Sequence, residues 1–263
     1  MSTSANGTQS PVKQLIAFDA GNYSYLPNAF QYSASVIAQP GFEIVRARFS
    51  RLLGIEEGFA AIKSHLERSG RPLTALCACE LRSPGQMSEP DFIAFNRGYV
   101  KPLTDWGLFR DEMNPVGRCN LAPEADPPTA PGFYGFSYTT PMQSGIAASF
   151  VVSGAADCPD GVPNYRPLIV RYGDTSPDGM RDKVRFALGD IESRLSGMGV
   201  GWSNVTDTNL YTVHDVRPLL ADEFVRRGAM PGGLTWHYCR PPVVGLDIEL
   251  DCRATAMELF VMV

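Results

Sequence analysis

Between Trp236 and Asp251 the chain concentrates groups that can do chemistry: His237, Cys239 and Arg240 in quick succession, then Asp247, Glu249 and Asp251 at alternate positions. Carboxyl and imidazole groups move protons, thiols attack electrophilic carbon, and guanidinium groups hold carboxylates. Glu249 is the principal acid–base candidate, with His237 and Cys239 as further catalytic candidates. A Cys–His nucleophile is disfavoured, because nothing in the spacing supplies a third group to orient the imidazole. Arg240 could clamp a substrate carboxylate, and Tyr211 and Trp236 could line the pocket and exclude water. No CxxC pair, HExxH or Cys/His set with zinc spacing occurs, so no metal is expected, and the chemistry requires no cofactor.

The elements that must position these groups are legible in part. Leu246, Ile248 and Leu250 alternate with the three acids, which predicts a strand with its carboxylates on one face. Pro241 and Pro242 break the preceding ladder and Gly245 permits the next, so Thr235–Arg240 and Leu246–Cys252 are expected as neighbours in a hairpin, with Glu249 opposite His237 and Cys239. Upstream, Met1–Ser10 reads as polar and frayed. Val12–Asp19, Tyr32–Ala38 and Phe42–Arg48 read as strands, and 21–28 as a loop. Ile55, Phe59, Ile62 and Leu66 then recur at helical spacing before Gly70, predicting a helix over Leu53–Ser69, followed by a strand over Leu73–Leu81.

The same pattern returns at an offset of 129: Val184, Leu188, Ile191, Leu195 and Gly199 answer Ile55, Phe59, Ile62, Leu66 and Gly70, and Trp202, Val205 and Leu210 answer Leu73, Leu76 and Leu81. A second helix follows each strand, around Asp91–Leu103 and around Val216–Arg227. Beyond it the offset shortens to 116, aligning Asn114–Asn120 with Met230–Trp236. The expected fold is α+β: two tandem units, over residues 12–138 and 139–263, each a mixed or antiparallel sheet with two helices on one face.

At 263 residues, 44% of them apolar, the chain can bury a full core. Its net charge of −5 and pI near 5.3 offer no basic field to a phosphate backbone, so nucleic acid is not an expected partner. The sequence carries no apolar run long enough for a membrane span and no secretory signal, so a soluble cytoplasmic protein is expected. The six cysteines are too sparse for a disulfide scaffold and read as small buried hydrophobes.

The second half, from SGIAASFVVSGAADCPDG through RDKVRFALGDIESRLSGMGVGWSNVTDTNLYTVHD to MPGGLTWHYCRPPVVGLDIELDCRA, resembles the RidA/YjgF superfamily, and the first half resembles it more faintly. That resemblance implies a chorismate-mutase-like fold, a homotrimer, a small-molecule site in a cleft between units, and hydrolysis of reactive imines or enamines to keto acids and ammonia. In the best-known branch an arginine after a proline holds the substrate carboxylate, and a glutamate fifteen positions later holds the attacking water. Here Arg118 occupies the arginine position of the first copy, but Phe133 stands fifteen residues on; the second copy has Leu234 and then Glu249. The pair is divided between the copies. The run CRPPVVGLDIE is also similar to a hairpin of chorismatases, which implies Glu249 as general acid towards an enol ether, releasing pyruvate. Three functions are therefore expected in order: a RidA-like hydrolase of a carboxylate-bearing metabolite, a chorismatase-like hydrolase, and a catalytically silent metabolite-binding protein.

Overall fold

A computed structural model describes residues 14–263, so the expectations for Met1–Ser10 and for a strand beginning at Val12 fall partly or wholly outside it. In chain order the elements are β1 (Ile16–Phe18), β2 (Tyr23–Leu26), β3 (Ser35–Ala38), β4 (Phe42–Gly54), α1 (Ile55–Arg68), β5 (Leu76–Arg82), α2 (Glu89–Asp105), β6 (Gly117–Pro123) and β7 (Gly132–Pro141). There follow β8 (Phe150–Ala156), α3 (Pro177–Gly197), β9 (Asp207–Tyr211), a turn of 3-10 helix running into a π-helical turn over 217–225, and β10 (Thr235–His237), β11 (Cys239–Arg240), β12 (Glu249–Ala254) and β13 (Met257–Val261). Tyr23–Leu26 is a strand where the sequence suggested a loop, because alternation brings Tyr23 and Tyr25 into an apolar cluster between the sheets.

The helices form where the spacing predicts them. On α1 the stripe Phe59, Ile62 and Leu66 is buried, with Glu56 and Glu57 in the first turn favouring its dipole, and Gly70 beyond its end takes φ +64°. Ser88 and Ser176 cap α2 and α3, their Oγ atoms accepting from the backbone N–H of Asp91 and Gly179. The second unit's second helix is the short 217–225 segment and not a full α-helix.

Thirteen strands form two mixed sheets, one of seven strands in the order β1-β2-β3-β8-β12-β9-β10 and one of six in the order β11-β6-β5-β7-β4-β13. Each contains the same four-strand arrangement, β8-β12-β9-β10 in one and β4-β7-β5-β6 in the other, with matching strand directions: the last pair is parallel and the other two are antiparallel. Leu81 pairs with Asn120 and Leu210 with Trp236, so the offsets of 129 and 116 meet in one ladder. One core lies between α3 and the seven-stranded sheet, the other between α1, α2 and the six-stranded sheet.

The units exchange their ends. β3, near the start of the chain, pairs with β8 of the second unit, while β13, at its end, pairs in parallel with β4 of the first. The expected hairpin is not present. β9 lies between β10 and β12, and Cys239–Arg240 leaves that sheet to pair with β6 of the other. Trp236–His237 bonds only to β9, and the two prolines then carry the chain away from the sheet, so local alternation could not reveal the strand inserted from further upstream.

Candidate active site

Glu249 opens β12, where its ladder partners are Tyr211 on β9 and Ala156 on β8. Its side chain lies over Gly154, in the run whose Ser-Gly ending marks the resemblance. The carboxyl is buried, and among the described residues it makes no hydrogen bond or ion pair. Burial raises its pKa well above the usual carboxylate range, and the nearby charges of Asp251 and Asp160 add to the rise, with Arg118 and Arg194 opposing it. Its surroundings therefore favour the protonated, uncharged form of Glu249.

Arg118, from the other unit, is one of those opposing charges. Its backbone N–H donates to Ser153 Oγ at 3.0 Å, which fastens β6 against β8 beside Gly154. The guanidinium carbon lies 4.7 Å from the Tyr99 ring centroid, 5.2 Å from Tyr32 and 5.8 Å from Phe92. These rings hold it by cation–π contact and leave it without a carboxylate partner, and its Nη1 is buried with no hydrogen bond. The arginine and glutamate that the repeat divides between its copies thus come within electrostatic reach of each other across the boundary between the units.

The surroundings are fixed by residues that spacing did not single out. Arg194 on α3 donates to the carbonyls of Ser153 (3.0 Å) and Gly154 (3.2 Å) and pairs with Asp160 and Asp190, each at 2.6 Å. Asp160 accepts from Tyr32 Oη at 2.7 Å and so also sets one wall around Arg118. Lys183, fully buried, pairs with Asp157 at 2.7 Å and Asp247 at 3.1 Å, tying the end of β8 to the start of β12, the strand that Glu249 opens. The Ser-Gly motif was a signal for this neighbourhood; Arg194 and Lys183 gave none, since charged positions on a helix read as solvent-facing.

The other candidates separate. Tyr211 is buried between the sheets, its hydroxyl donating to Asp251 Oδ2 at 2.7 Å, and His237 stacks on its ring at 4.8 Å. Burial, reinforced by Arg82, lowers the His237 pKa, so the ring is neutral, with Nε2 3.0 Å from Asn209 Oδ1. Cys239 is buried and its pKa is raised by that burial, which leaves it a thiol and a weak nucleophile, although Glu249 lies within its electrostatic reach. Arg240 sits at the rim, held by both oxygens of Glu124 at 2.7 and 3.0 Å. Trp236 faces outward into an open groove of about 430 Å³ with His214, Arg217 and Tyr238, while its Nε1 donates to Thr212 O. This open groove is therefore not at Glu249. Arg118 and Ser153 instead line a void of about 10 Å³ between the sheets, room for one water.

The ladder also revises the comparison of copies. Tyr211, whose partner is Glu249, corresponds to Arg82, whose partner is Gly132. A register shift between Glu80 and Leu81 places the first copy's counterpart of Glu249 one residue before Phe133. Either way the first copy lacks the acid.

Among the described residues no His/Cys/Asp/Glu group could hold a metal ion. An α+β protein of two repeated sheets, with one buried acid within electrostatic reach of one buried arginine, has groups that can bind a carboxylate and move a proton. The chain belongs to the family described as 2-aminomuconate deaminase CnbZ, whose model matches residues 15–259. It is 46% identical over 244 residues to a 2-amino-5-chloromuconate deaminase of Comamonas testosteroni, covering 92% of this chain and 97% of that one. Among solved structures it is similar to a chorismatase (TM-score 0.49, 11% identity, 84% of this chain and 77% of that one). It is also similar to the YjgF gene product of E. coli (0.29, 14%, 41% and 80%) and to E. coli TdcF with bound serine (0.30, 12%, 44% and 88%).

Proposed function

We propose that this protein hydrolytically deaminates a small, conjugated amino acid of the 2-aminomuconate type, releasing ammonia and leaving a keto acid. The family and the deaminase relative support the reaction class. The observation that carries the reading is the juxtaposition of proton-bearing Glu249 with Arg118, which has no carboxylate partner.

Arg118 holds the carboxylate next to the amine-bearing carbon, with Tyr32 and Tyr99 flanking the plane. Glu249 protonates the enamine at carbon, and the electron pair moves to form a C=N⁺ bond. The resulting carboxylate takes a proton from water as its oxygen attacks that carbon. Glu249 then passes this proton to nitrogen, the C–N bond breaks, and ammonia leaves as the hydroxyl proton returns to Glu249, which forms the carbonyl and restores the acid. Of the remaining candidates, Cys239 and His237 border the site, Tyr211 fixes the strand that carries Glu249, and Trp236 and Arg240 lie on its approach. In this reading no cofactor takes part.

The units divide near residue 139, and the assembly is a homotrimer in the cytoplasm. The trimer is supported by the exposed Met257 and Met262, which bracket the last strand. No described helix is long and apolar enough to cross a membrane.

Ammonia release from a 2-aminomuconate, followed by a coupled assay, tests the reaction. Wild-type protein should turn the substrate over, and Glu249→Gln should lower kcat by about 10²–10⁴-fold with substrate binding retained. Full turnover by that variant would remove Glu249 from the mechanism.

A further inference from the structure

A second arrangement of arginines lies on the face of the six-stranded sheet opposite α1 and α2. Across four adjacent strands, Phe260 on β13, Arg48 on β4, Tyr134 on β7 and Arg82 on β5 form one row. The Arg48 guanidinium carbon is 4.5 Å from the Phe260 ring centroid and 5.6 Å from that of Tyr134, whose hydroxyl accepts from Arg48 Nη1 at 3.1 Å. Arg82 lies 4.3 Å from the Tyr134 centroid.

The row has too little negative charge. Two acids of this face, Glu80 and Glu258, and two that approach it from the other sheet, Asp251 and Asp207, are all paired with two other arginines. Arg46 pairs with Glu80 (2.7 Å) and Glu258 (3.1 Å), and Arg253 pairs with Glu80 (2.7 Å), Asp251 (2.8 Å) and Asp207 (3.5 Å). Among the described residues neither Arg48 nor Arg82 has a carboxylate within salt-bridge distance, and the single hydrogen bond of the Arg82 side chain goes to its neighbour's carbonyl, Leu81 O. Arg82 is only 7% exposed. Arg82 feels the charge of Glu80 but shares it with Arg46 and Arg253, which hold both carboxylate oxygens, so rings and a carbonyl replace only part of the hydration that its own N–H groups have lost. The row leads to it from solvent, since Phe260 is 63% exposed and Arg48 and Tyr134 are half-buried.

We propose that Arg48 and Arg82, on either side of Tyr134, form a carboxylate-binding site distinct from the Arg118–Glu249 site. A planar, singly charged group suits two guanidinium groups flanking a ring, each offering parallel N–H donors. The two sites do not share a ligand: Arg118 packs against Tyr99 and Phe92 of α2, on the helix face of the sheet, whereas Arg82 faces the seam where Tyr211 and Cys239 lie. The carboxylate comes either from a small organic acid or from a side chain of a second copy of this chain.

Thermal unfolding with succinate, against sodium chloride at equal ionic strength, separates these sources when combined with light scattering. For a small acid, succinate raises Tm saturably in wild-type protein and in Arg118→Ala, and Arg48→Met and Arg82→Met each need at least about tenfold more succinate for the same rise. For a second copy, succinate leaves the wild-type Tm unchanged, while both methionine variants lower the mass of the assembly. Arg48 is half-exposed, so its variant reports even if Arg82→Met does not fold. Methionine variants that respond to succinate as wild type does, or that keep the wild-type mass where succinate has no effect, overturn the proposal.

Discussion

Glu249 Oε1 occupies the space that a side chain on Gly154 would need: a Cβ built there runs into the carboxyl group. The strand carrying the Ser-Gly ending thus makes room for the acid by omitting a side chain. Gly154→Ala should push Glu249 from its position and lower kcat at least about tenfold, within the range a general acid–base contributes. Circular dichroism should show an intact fold, which would separate this effect from unfolding.

Glu249 also couples stability to pH with a sign unusual for a carboxylate. Its folded pKa lies above the unfolded value because burial disfavours the charged form, so above the unfolded pKa the native state binds more protons than the unfolded state. Its contribution therefore becomes destabilising as pH rises from the ordinary glutamate range towards the raised pKa. Urea unfolding of Glu249→Gln should show a stability advantage over wild type that is absent near pH 4 and grows towards neutrality. Parallel pH curves for the two proteins would contradict the raised pKa.

Glu80 behaves in the opposite way. Burial alone would raise its pKa, but Arg253 and Arg46 outweigh that and hold it far below the usual range. Its stabilisation is fully present above the unfolded glutamate pKa and declines as pH falls below it. Glu80→Ala leaves two buried guanidinium groups poorly compensated, and at neutral pH should cost about 3–5 kcal/mol in denaturant unfolding. The loss should shrink in acid.

Arg118→Lys keeps the charge but loses the flat fork that the rings grip. KM should rise by about tenfold to a hundredfold, as expected for one charge-assisted hydrogen bond, with a smaller change in kcat. A change confined to Tm would make Arg118 structural.

The repeat was legible because helix stripes and strand ends recur in one register, and the ladders Leu81–Asn120 and Leu210–Trp236 show that this register is spatial. Glu249 was legible from the alternation of acids along its strand, but Arg118 and its link to Glu249 only through resemblance; no spacing rule joins residues on strands of different sheets. The hairpin over Thr235–Cys252 was misread because alternation states which face a side chain takes but not which strand lies beside it. Tyr211 fills the place expected for His237 opposite Glu249, which is why His237 stands one strand further away, while Cys239 lies on the other sheet. Arg194 and Lys183 escaped notice because their burial depends on carbonyls and acids supplied by distant strands.

The exchange of chain ends bears on how the protein is made. Met257 pairs with Val45 and Ser35 with Val152, so the sheet of the first unit waits for a strand made after the second unit's sheet strands, and the sheet of the second holds a strand from the first unit's start. On a ribosome the first unit emerges with β4 as an open edge, able to pair with other chains until β13 has followed. Closure then joins segments separated by most of the chain's length, a late step slowed by loop-closure entropy. The site, which needs Arg118 and Glu249 together, exists only once that final pairing has become possible.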